Sequence, residues 1–386
     1  MNYLFIHCTS DLYGASQMLT RIINRLINDD NKVHVVLPSE GLLVNELRNI
    51  GANVSIVQAE PTIRKSYFKS PIKFIRFIYD VIYSFFLIRK IAKKNLSNLI
   101  VTNTSQTIVG GFIAKNLKIP HICHVRESYS DYGKIWVMYE FFLLYFSDLI
   151  ICTSKSMMNQ FNSKNHNKKV FVVYDGISIS DVGDVNEEKI NKFKKDFNLI
   201  GYKLVGLIGR IIIHRKGQET FVKAASEVIK KFENVKFLIV GDCYPGNEHH
   251  KEKLVSLINK FNLNDVVILT GQIYDINCVH SSIDISVMAS GRPEPFGLVT
   301  VEAMANKKPV IGTNIGGTIE IIDNNHTGIL IPPNDPFSMA DAILNLLENE
   351  DLRNQMGKNG YLRFLEKFEF EPCYNNLIKL YNSISE

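Results

Sequence analysis

The chain has 386 residues, of which 46% are hydrophobic and 22% charged, and its formal net charge is +5. This length and balance indicate a soluble globular protein with two or three domains. The small positive excess fits phosphate-bearing ligands or an anionic membrane surface, but it is too weak to indicate nucleic-acid binding, which we do not expect.

The cysteine and hydropathy patterns indicate the compartment. The six cysteines form no C-x-x-C pair and lie at no metal-ligand spacing with histidine. The first residues, MNYLFIHCTS, predict a β-strand rather than a signal peptide. No run is long, apolar and charge-free enough to predict a transmembrane helix. We therefore expect a reduced, cytoplasmic protein.

Short apolar runs alternate with helical patterns along the first half of the chain. Apolar residues recur at helical spacing between these runs, as they do from Ala15 to Asp29. Continuously apolar strands separated by helices predict a parallel sheet covered on both faces. The seven predicted strands of this half lie in YLFIHC, KVHVVLP, NVSIVQ, NLIVTN, HICHV, DLIICTS and VFVVYDG.

A polar stretch from Asp175 to Phe197 carries no strand signal and predicts an interdomain linker with one opening helix. A second series follows, with predicted strands in KLVGLIGR, VKFLIVGD, VVILTGQ, IDISVMAS, KPVIGT and GILIPP. The fold class is therefore α/β, with two open parallel-sheet halves. Ligands of such sheets bind at the carboxyl ends of the strands, which predicts a site in a cleft between the halves.

These patterns divide the chain into three predicted parts. Residues 1–180 form an N-terminal domain and residues 181–365 a C-terminal domain. The tail from Tyr361 onwards predicts two helical pieces interrupted near Pro372. Residues 366–386 form a C-terminal helix, for which packing back on the N-terminal domain is one option.

Two glutamates flank a Pro-Phe-Gly turn in the stretch GRPEPFGLVTVEAMA. Glu294 lies in the loop after the predicted strand IDISVMAS, and Glu302 lies one to two turns into the next helix. The unpaired first-turn amides of Gly297, Leu298 and Val299 favour a phosphate. The two carboxylates can accept hydrogen bonds from sugar hydroxyls. The alternative is that Glu302 is a solvated helix residue and Glu294 a loop charge.

Two cations follow the predicted strand KLVGLIGR. The strand ends at Gly209, Arg210 follows it, and Lys216 with Gly217 opens the next helix. Two cations at the carboxyl end of a strand could neutralise a diphosphate leaving group. The sequence has no Walker loop, no G-x-G-x-x-G after the first strand and no D-x-D triplet to hold a metal. The alternative is that both are ordinary surface charges.

In this order, the motifs GR…KG, VGD, TG, S…EPFG and EAMA…PVIGT…GG…E resemble the family-four retaining glycosyltransferases of the GT-B fold. The resemblance covers most of the second half, from about Lys203 to Glu348. It implies two Rossmann-like domains facing a central cleft, the first binding the acceptor and the second the nucleotide sugar. It also implies a hexosyltransferase of bacterial surface polysaccharide or lipopolysaccharide type. No metal and no cofactor are expected beyond the nucleotide-sugar co-substrate.

The resemblance assigns roles to the motif residues of the second half. Glu294 would face the sugar hydroxyls and Glu302 the nucleotide ribose, while Arg210 and Lys216 would bind the diphosphate. The loop from Gln272 to Tyr274 would face the base. The donor-binding residues that the resemblance implies are Gly14, Gly209, Arg210, Lys216, Ile273, Tyr274, Glu294, Phe296, Gly297, Leu298, Val299 and Glu302.

In the first half, the resemblance is carried by fewer residues. SDLYGASQ stands where the family has a glycine-rich loop, with Gly14 as the donor contact and Tyr13 on the acceptor side. His124 matches a histidine close to the transferred sugar, although a structural histidine is the alternative. Arg126 and Glu127 follow it on the acceptor side. The predicted catalytic set is His124, Arg210, Lys216 and Glu294.

The charges that develop during transfer suggest a mechanism. Breaking a sugar–phosphate bond places positive charge on the ring and negative charge on the diphosphate, which Arg210, Lys216 and the helix amides would stabilise. The resemblance implies retention of configuration. No carboxylate nucleophile stands out opposite the donor. Front-face attack, with the leaving phosphate taking the acceptor proton, therefore fits better than a covalent intermediate.

From Phe74 to Ile88, apolar residues cover more than half of the helical circumference. This pattern suits shallow insertion in an anionic membrane at the inner face of the plasma membrane, with a lipid-linked saccharide as acceptor. The alternative is a core helix of the first domain. A second such segment runs from Lys134 to Phe146, and for it we favour the core interpretation. The basic residues that flank the first segment are Arg64, Lys65, Lys69, Arg89, Lys90, Lys93 and Lys94.

Two other functions share this architecture and stay open at this point. A GT-B nucleotide-sugar epimerase would have the same fold, and a non-catalytic nucleotide-sugar binder would need many of the same residues. The spacing of the two glutamates favours transfer.

Overall fold

The structure, a computed structural model, describes residues 1–59, 62, 63, 67, 70–162, 169–183 and 185–384. Its Cα atoms form two compact units. The first contains Met1–Asp175 and Cys373–Glu386, and the second contains Gly176–Pro372. Three of the predicted basic flanking residues, Arg64, Lys65 and Lys69, lie outside the described residues.

The first unit is built on a seven-stranded sheet with the order β3-β2-β1-β4-β5-β6-β7. Every neighbouring pair of strands is parallel. The central strands are buried on both faces, as their continuous apolar runs predict. The strands are β1 (Asn2–Ile6), β2 (Lys32–Leu37), β3 (Asn53–Ile56), β4 (Leu99–Thr102), β5 (His121–Val125), β6 (Leu149–Cys152) and β7 (Val170–Val172).

Helices connect these strands and bury apolar side chains against the first unit. The first buries Met18, Leu19, Ile22, Ile23 and Leu26 at helical spacing. The helices are α1 (Gly14–Asn28), α2 (Leu42–Asn49), α3 (Pro71–Lys94), α4 (Val109–Leu117), α5 (Lys134–Phe146) and α6 (Lys155–Met158).

The second unit has a six-stranded, fully parallel sheet with the order β10-β9-β8-β11-β12-β13. The strands are β8 (Lys203–Ile208), β9 (Val235–Val240), β10 (Val267–Gly271), β11 (Ile285–Met288), β12 (Val310–Thr313) and β13 (Gly328–Ile331). The helices are α7 (Ile179–Val182), α8 (Glu187–Asp196), α9 (Gln218–Val228), α10 (His249–Lys260), α11 (Ile276–Ser282), α12 (Leu298–Ala305), α13 (Thr318–Ile321), α14 (Pro336–Glu348) and α15 (Glu350–Lys367).

The last helix, α16 (Phe370–Asn382), begins in the second unit and continues into the first. Within the first unit, Tyr374 Oη donates to Asp29 Oδ2 at 2.9 Å, and Tyr381 Oη lies 2.9 Å from His124 Nε2. The two predicted helical pieces are confirmed, with the break at Phe368 and Glu369, a few residues before Pro372. Pro372 lies in the first turn of α16, where no intrahelical bond needs its missing N–H.

All the predicted strands are confirmed, and both sheets are the predicted Rossmann-like α/β layers. The order of the strands reverses once in each sheet, between β1 and β4 in the first and between β8 and β11 in the second. Loops leave such a switch point in opposite directions and open a crevice at the carboxyl ends of the strands. Each unit therefore has one built-in place for a ligand.

The core interpretation of α5 is wrong for much of its surface. Tyr139, Glu140 and Leu143 are buried, but Val137, Met138, Phe141 and Tyr145 are exposed. Within the described part of the chain, no helix combines the length and apolar character that crossing a membrane requires.

Candidate active site

The β8/β11 switch point brings together two side chains that are 78 residues apart. Lys216 ends the loop after β8, and Glu294 lies in the loop after β11. Since these strands are neighbours, their following loops meet, and Lys216 Nζ donates to Glu294 Oε1 at 2.8 Å. The sequence predicted that both residues bind the same ligand, but it did not predict that they pair with each other.

Glu294 is held as a carboxylate. Ser290 Oγ donates to Glu294 Oε1 at 2.7 Å, and the backbone N–H of Gly317 donates to the Glu294 carbonyl at 2.8 Å. Burial alone would raise the pKa of Glu294, but the Lys216 ammonium, the Arg215 charge and the Ser290 hydrogen bond together outweigh it and lower the pKa below the usual value. A buried, ionised carboxylate can accept strong hydrogen bonds from ligand hydroxyls.

Two glycines allow these loops to approach each other closely. Gly217 has φ +72°, and a Cβ there would lie 1.8 Å from the carbonyl oxygen of Ala289. Gly316 has φ +64°, and a Cβ there would lie 2.5 Å from the carbonyl oxygen of Glu294. Any side chain at either position would push the Glu294 loop away.

The amino terminus of α12 presents first-turn amides and two hydroxyls beside this pair. Gly297 caps the helix with φ +114°. The hydroxyls of Thr300 and Thr318 are buried and have no hydrogen-bond partner among the described residues. They lie 3.6 and 3.8 Å from the position that a Cβ would take at Gly297. Because buried hydroxyls are normally bonded, these two and the first-turn amides are suited to a phosphate.

Glu302 lies on α12 with an ionisable neighbour that the sequence analysis missed. His280 Nε2, on α11, lies 3.7 Å from Glu302 Oε2. The imidazole is fully buried, and neither of its nitrogens has a hydrogen-bond partner in the described part of the chain. His280 therefore lies beside Glu302 on the interior side, at a distance that no hydrogen bond bridges.

Arg210 stacks on an aromatic ring that the sequence did not single out. Its guanidinium carbon lies 3.2 Å from the ring centroid of Tyr244, in the loop after β9. Gln218 Nε2 donates to the Arg210 carbonyl at 2.9 Å. The ring orients the guanidinium plane, which matters for a group that binds phosphate through a planar fork.

Replacing Tyr244 by alanine is expected to lower kcat/KM for the nucleotide-sugar donor that the resemblance implies by about twofold to thirtyfold, since a cation–π contact contributes about 0.5–2 kcal/mol. Tyr244→Phe, which keeps the ring, should retain most of the activity. Steady-state kinetics with varied donor concentration measures both.

Tyr202→Ala is the matched control for this prediction. Tyr202 is 38% exposed, Tyr244 is 37% exposed, and Lys236 Nζ lies 4.4 Å from the Tyr202 ring centroid. Equal losses in Tyr202→Ala and Tyr244→Ala would contradict a specific role for the Arg210 stack.

The remaining predicted donor residues differ in whether their side chains are buried or accessible. Phe296 is buried with its ring edge against Phe368, so its side chain supports the loop from inside. Ile273 and Val299 pack against one apolar cluster of the second unit. Tyr274 is 76% exposed, which leaves its ring accessible. Leu298 is half-buried. Gly209 has φ +150°, and a Cβ added there would have no atom within 4 Å.

The β1/β4 switch point of the first unit carries a chain of polar groups that the sequence analysis also missed. Asn103 Nδ2 donates to His7 Nδ1 at 3.3 Å, which leaves His7 Nε2 to donate to Ser16 Oγ at 3.0 Å. Ser16 Oγ in turn donates to Asp11 Oδ1 at 3.3 Å. Burial lowers the pKa of His7 to about 4, so the imidazole is neutral and keeps this order of donors.

The predicted residues of the first unit surround this network. Tyr13 caps α1, and Gly14 begins it with open space at its Cβ position. Arg126, after β5, donates through Nη1 to Asp175 Oδ2 at 2.5 Å in a largely buried ion pair. Glu127 Oε2 accepts from Ser105 Oγ at 2.6 Å and from two backbone amides.

His124 lies at the carboxyl end of β5, but its side chain is turned inward. It is buried, and its Nε2 lies 2.9 Å from Tyr381 Oη on α16. Burial, followed by the Arg126 charge, keeps the pKa of His124 well below its usual value. The contact gives His124 a structural partner, and its catalytic role stays a prediction.

Glu127 predicts a pH dependence. Its burial raises the pKa of the carboxyl to about 7, although hydrogen bonds from Ser105 and Arg126 oppose the shift. The folded chain therefore binds a proton that the unfolded chain releases near its usual pKa of 4.5. The stabilisation from protonated Glu127 is therefore complete below pH 4.5, and it is lost as the pH rises through about 7.

We expect urea midpoints of the wild type to fall, relative to those of Glu127→Gln, between about pH 5 and about pH 8. Since the variant cannot titrate at this position, the difference isolates Glu127 from other groups. Parallel midpoint curves for the two proteins would contradict the raised pKa.

Comparison with known proteins shows the family. The model described as glycosyl transferases group 1 matches residues 188–363, and the model described as Glycosyltransferase Family 4 matches residues 13–181. An uncharacterized glycosyltransferase of Methanocaldococcus jannaschii is 30% identical over 284 residues, which cover 73% of each chain. The chain belongs to the family-four glycosyltransferases.

Further comparisons agree with this glycosyltransferase assignment. The capsular polysaccharide biosynthesis glycosyltransferase CapM of Staphylococcus aureus is 27% identical over 262 residues, 64% of this chain and 66% of CapM. The crystal structure of Anabaena HepE in complex with UDP-glucose superposes with a TM-score of 0.84 over 99% of this chain and 100% of HepE. HepE is 21% identical, so this similarity shows the GT-B fold.

The glycosyltransferase has no group of three or more His, Cys, Asp or Glu side chains that could hold a metal ion within residues that the structure describes.

Proposed function

We propose that this glycosyltransferase moves a hexose or a related sugar from a nucleotide diphosphate sugar to a saccharide or lipid-linked saccharide, with retention of configuration. The observation that carries the proposal is the buried ion pair of Lys216 and Glu294 at the switch point of the second unit. A cation for the leaving group and a carboxylate for the sugar are thereby held side by side.

The donor half of the proposal uses groups of the second unit. Lys216, Arg210 and the amides at the start of α12 would bind the diphosphate, and Glu294 would accept hydrogen bonds from the sugar hydroxyls. Glu302, beside His280, would bind the ribose hydroxyls. Tyr274, whose ring is exposed, would face the base.

The proposed chemical step is a front-face displacement. The bond between the anomeric carbon and the diphosphate oxygen breaks, and the acceptor oxygen bonds to the same face of that carbon. The acceptor proton passes to the departing phosphate oxygen, which gains negative charge as the bond breaks. Lys216 and the helix dipole stabilise that charge, so the step requires no metal ion.

The acceptor half uses the polar network of the first unit. Tyr13 and Glu127 lie around the β1/β4 switch point with Asp11 and Asn103. Hydroxyl, amide and carboxylate groups of this kind suit the hydroxyls of a saccharide. We further propose that the apolar and basic helix α3 contacts an anionic membrane, which suits a lipid-linked acceptor.

The test is to incubate the purified protein with a panel of UDP-, GDP- and ADP-sugars and to measure donor hydrolysis and the shift in Tm. One donor should stabilise the protein and be hydrolysed slowly, and hydrolysis should persist in EDTA. The anomeric proton coupling of the first product should match that of the donor sugar. Stabilisation without hydrolysis or transfer would point to a non-catalytic binder, and release of an isomerised nucleotide sugar would point to an epimerase.

A further inference from the structure

The face of the first unit formed by α3, α4 and α5 has a groove that the donor and acceptor chemistry does not use. Its volume is about 560 Å³, within the range of ligand pockets. Four aromatic side chains line it: Phe85 and Phe86 of α3, Phe112 of α4 and Phe146 of α5. Val81, Ile82, Lys115 and Asn116 complete the lining.

The helices that flank this groove expose apolar side chains in continuous stripes. On α3, the exposed residues Ile75, Tyr79, Ile82 and Phe86 recur every three or four positions. On α5, Met138, Phe141 and Tyr145 do the same. Exposed apolar surface in such stripes marks an interaction site rather than a random surface.

The charges around the groove are nearly all positive. Helix α3 carries six Lys or Arg residues and one acidic residue, Asp80. The acidic residue of α5, Glu140, is buried and accepts the backbone N–H of Asn162 at 2.6 Å. At the polar end of the groove, Arg89 Nε donates to Asn116 Oδ1 at 2.5 Å, and Lys115 Nζ lies 4.8 Å from the Tyr145 ring centroid.

This charge pattern decides between two occupants of the face. Two copies of the chain packed through this surface would bring cations against cations, which opposes association. An anionic bilayer offers phosphates for the Lys and Arg side chains and hydrocarbon for the aromatic stripes.

We propose that the groove between α3 and α5 holds one hydrocarbon chain of an anionic phospholipid while the two exposed stripes rest in the membrane interface. The proposal deepens the membrane contact proposed above and rests on it, and it adds α5 and a lipid-binding site to it. Lys115 and Arg89 mark the end at which the lipid phosphate lies.

The first test is flotation with phosphatidylcholine vesicles, with and without phosphatidylglycerol. The wild type should bind the anionic vesicles, and Phe141→Glu and Phe86→Glu should bind about tenfold more weakly, since each removes a large apolar group from the bilayer. Phe337→Glu, in the second unit, is the matched control because Phe337 is 66% exposed and Phe141 is 71% exposed. The control should bind like the wild type.

The second test probes the groove itself. Phe86→Trp, in a Trp136→Phe background, places a single tryptophan at the groove. Lipids brominated along the acyl chain should quench its fluorescence more strongly than lipids brominated in the headgroup. Vesicle binding without chain quenching would overturn the groove site.

Two other outcomes would overturn the proposal. The first is equal binding of wild type and Phe86→Glu to anionic vesicles. The second is a concentration-dependent dimer that Phe86→Glu dissociates in sedimentation experiments, since this would make a second copy the occupant. The donor-induced Tm shift reports on the second unit and does not depend on the lipid site. If the shift persists while vesicle binding fails, only the lipid site is wrong. If the shift is absent, the proposed transferase function is wrong.

Discussion

Glu294→Gln is expected to lower turnover about 100-fold or more while changing nucleotide affinity by only a few fold. A carboxylate accepts hydrogen bonds from sugar hydroxyls at both oxygens, whereas the amide turns one acceptor into a donor. Hydrogen bonds to a charged group contribute about 1.5–3 kcal/mol each, and those to the sugar strengthen as positive charge develops on the ring. Steady-state kinetics and calorimetric titration with the free nucleotide measure the two effects.

Glu227→Gln is the control for this prediction. Glu227 also pairs with a lysine, at 2.7 Å from Lys230 Nζ, but on an exposed helix face. Exposed ion pairs contribute little to stability, and this one lies away from the candidate site, so turnover should change less than twofold. If Glu294→Gln retained wild-type turnover, or if its defect lay wholly in nucleotide affinity, the proposed contact between Glu294 and the transferred sugar would be untenable.

The architecture was predictable because it depends on local patterns. A strand buried on both faces must be apolar throughout, as in LIVT at β4 and ISVM at β11, and such runs are visible in the sequence. The order of the strands is not visible there. The Lys216–Glu294 pair depends on β11 lying next to β8, with 76 residues between the two strands, and local periodicity carries no such information.

The residues that the sequence analysis missed were all missed for the same physical reason. His7 and Asn103 directly follow the buried strands β1 and β4, and Tyr244 lies in the loop after β9, but no motif includes any of the three. Their importance comes from what the topology places beside them: His7 meets Asn103 only because β1 and β4 are neighbours. The ring of Phe296 packs against Phe368, and its place in the motif alone predicts a donor contact, which stays a prediction.

For the long apolar helices, periodicity fails to predict which face is buried, and the reason is different. A helix that is apolar all round can be buried or can face a membrane, and composition does not distinguish the two. In α5 the side chains of Tyr139 and Leu143 are buried, yet the opposite stripe is exposed and equally apolar.

Lys216→Met is expected to lower turnover about 1,000-fold and also to destabilise the second unit. Lys216 would neutralise the departing diphosphate, and loss of one such fixed charge typically lowers rates by about 10²–10³-fold. The variant also leaves Glu294 buried without its counter-charge, so burial then raises the pKa of Glu294 and weakens it as an acceptor.

The loss of stability should be about 1–3 kcal/mol. Breaking a buried pair by removing one partner costs about 3–5 kcal/mol, but the Lys216 side chain is 25% exposed and the Glu294 side chain 8%, so solvent screens part of the interaction. Thermal unfolding should show a Tm several degrees lower than that of the wild type.

The double variant Lys216→Met with Glu294→Gln separates the two effects. With neither charge present, no carboxylate is left uncompensated, and the Tm should recover towards the wild-type value. Turnover should stay as low as in Lys216→Met, because the double variant still has no cation for the diphosphate. If turnover recovered together with the Tm, Lys216 would act only as the counter-charge of Glu294, and another group, with Arg210 as the first candidate, would have to stabilise the leaving group.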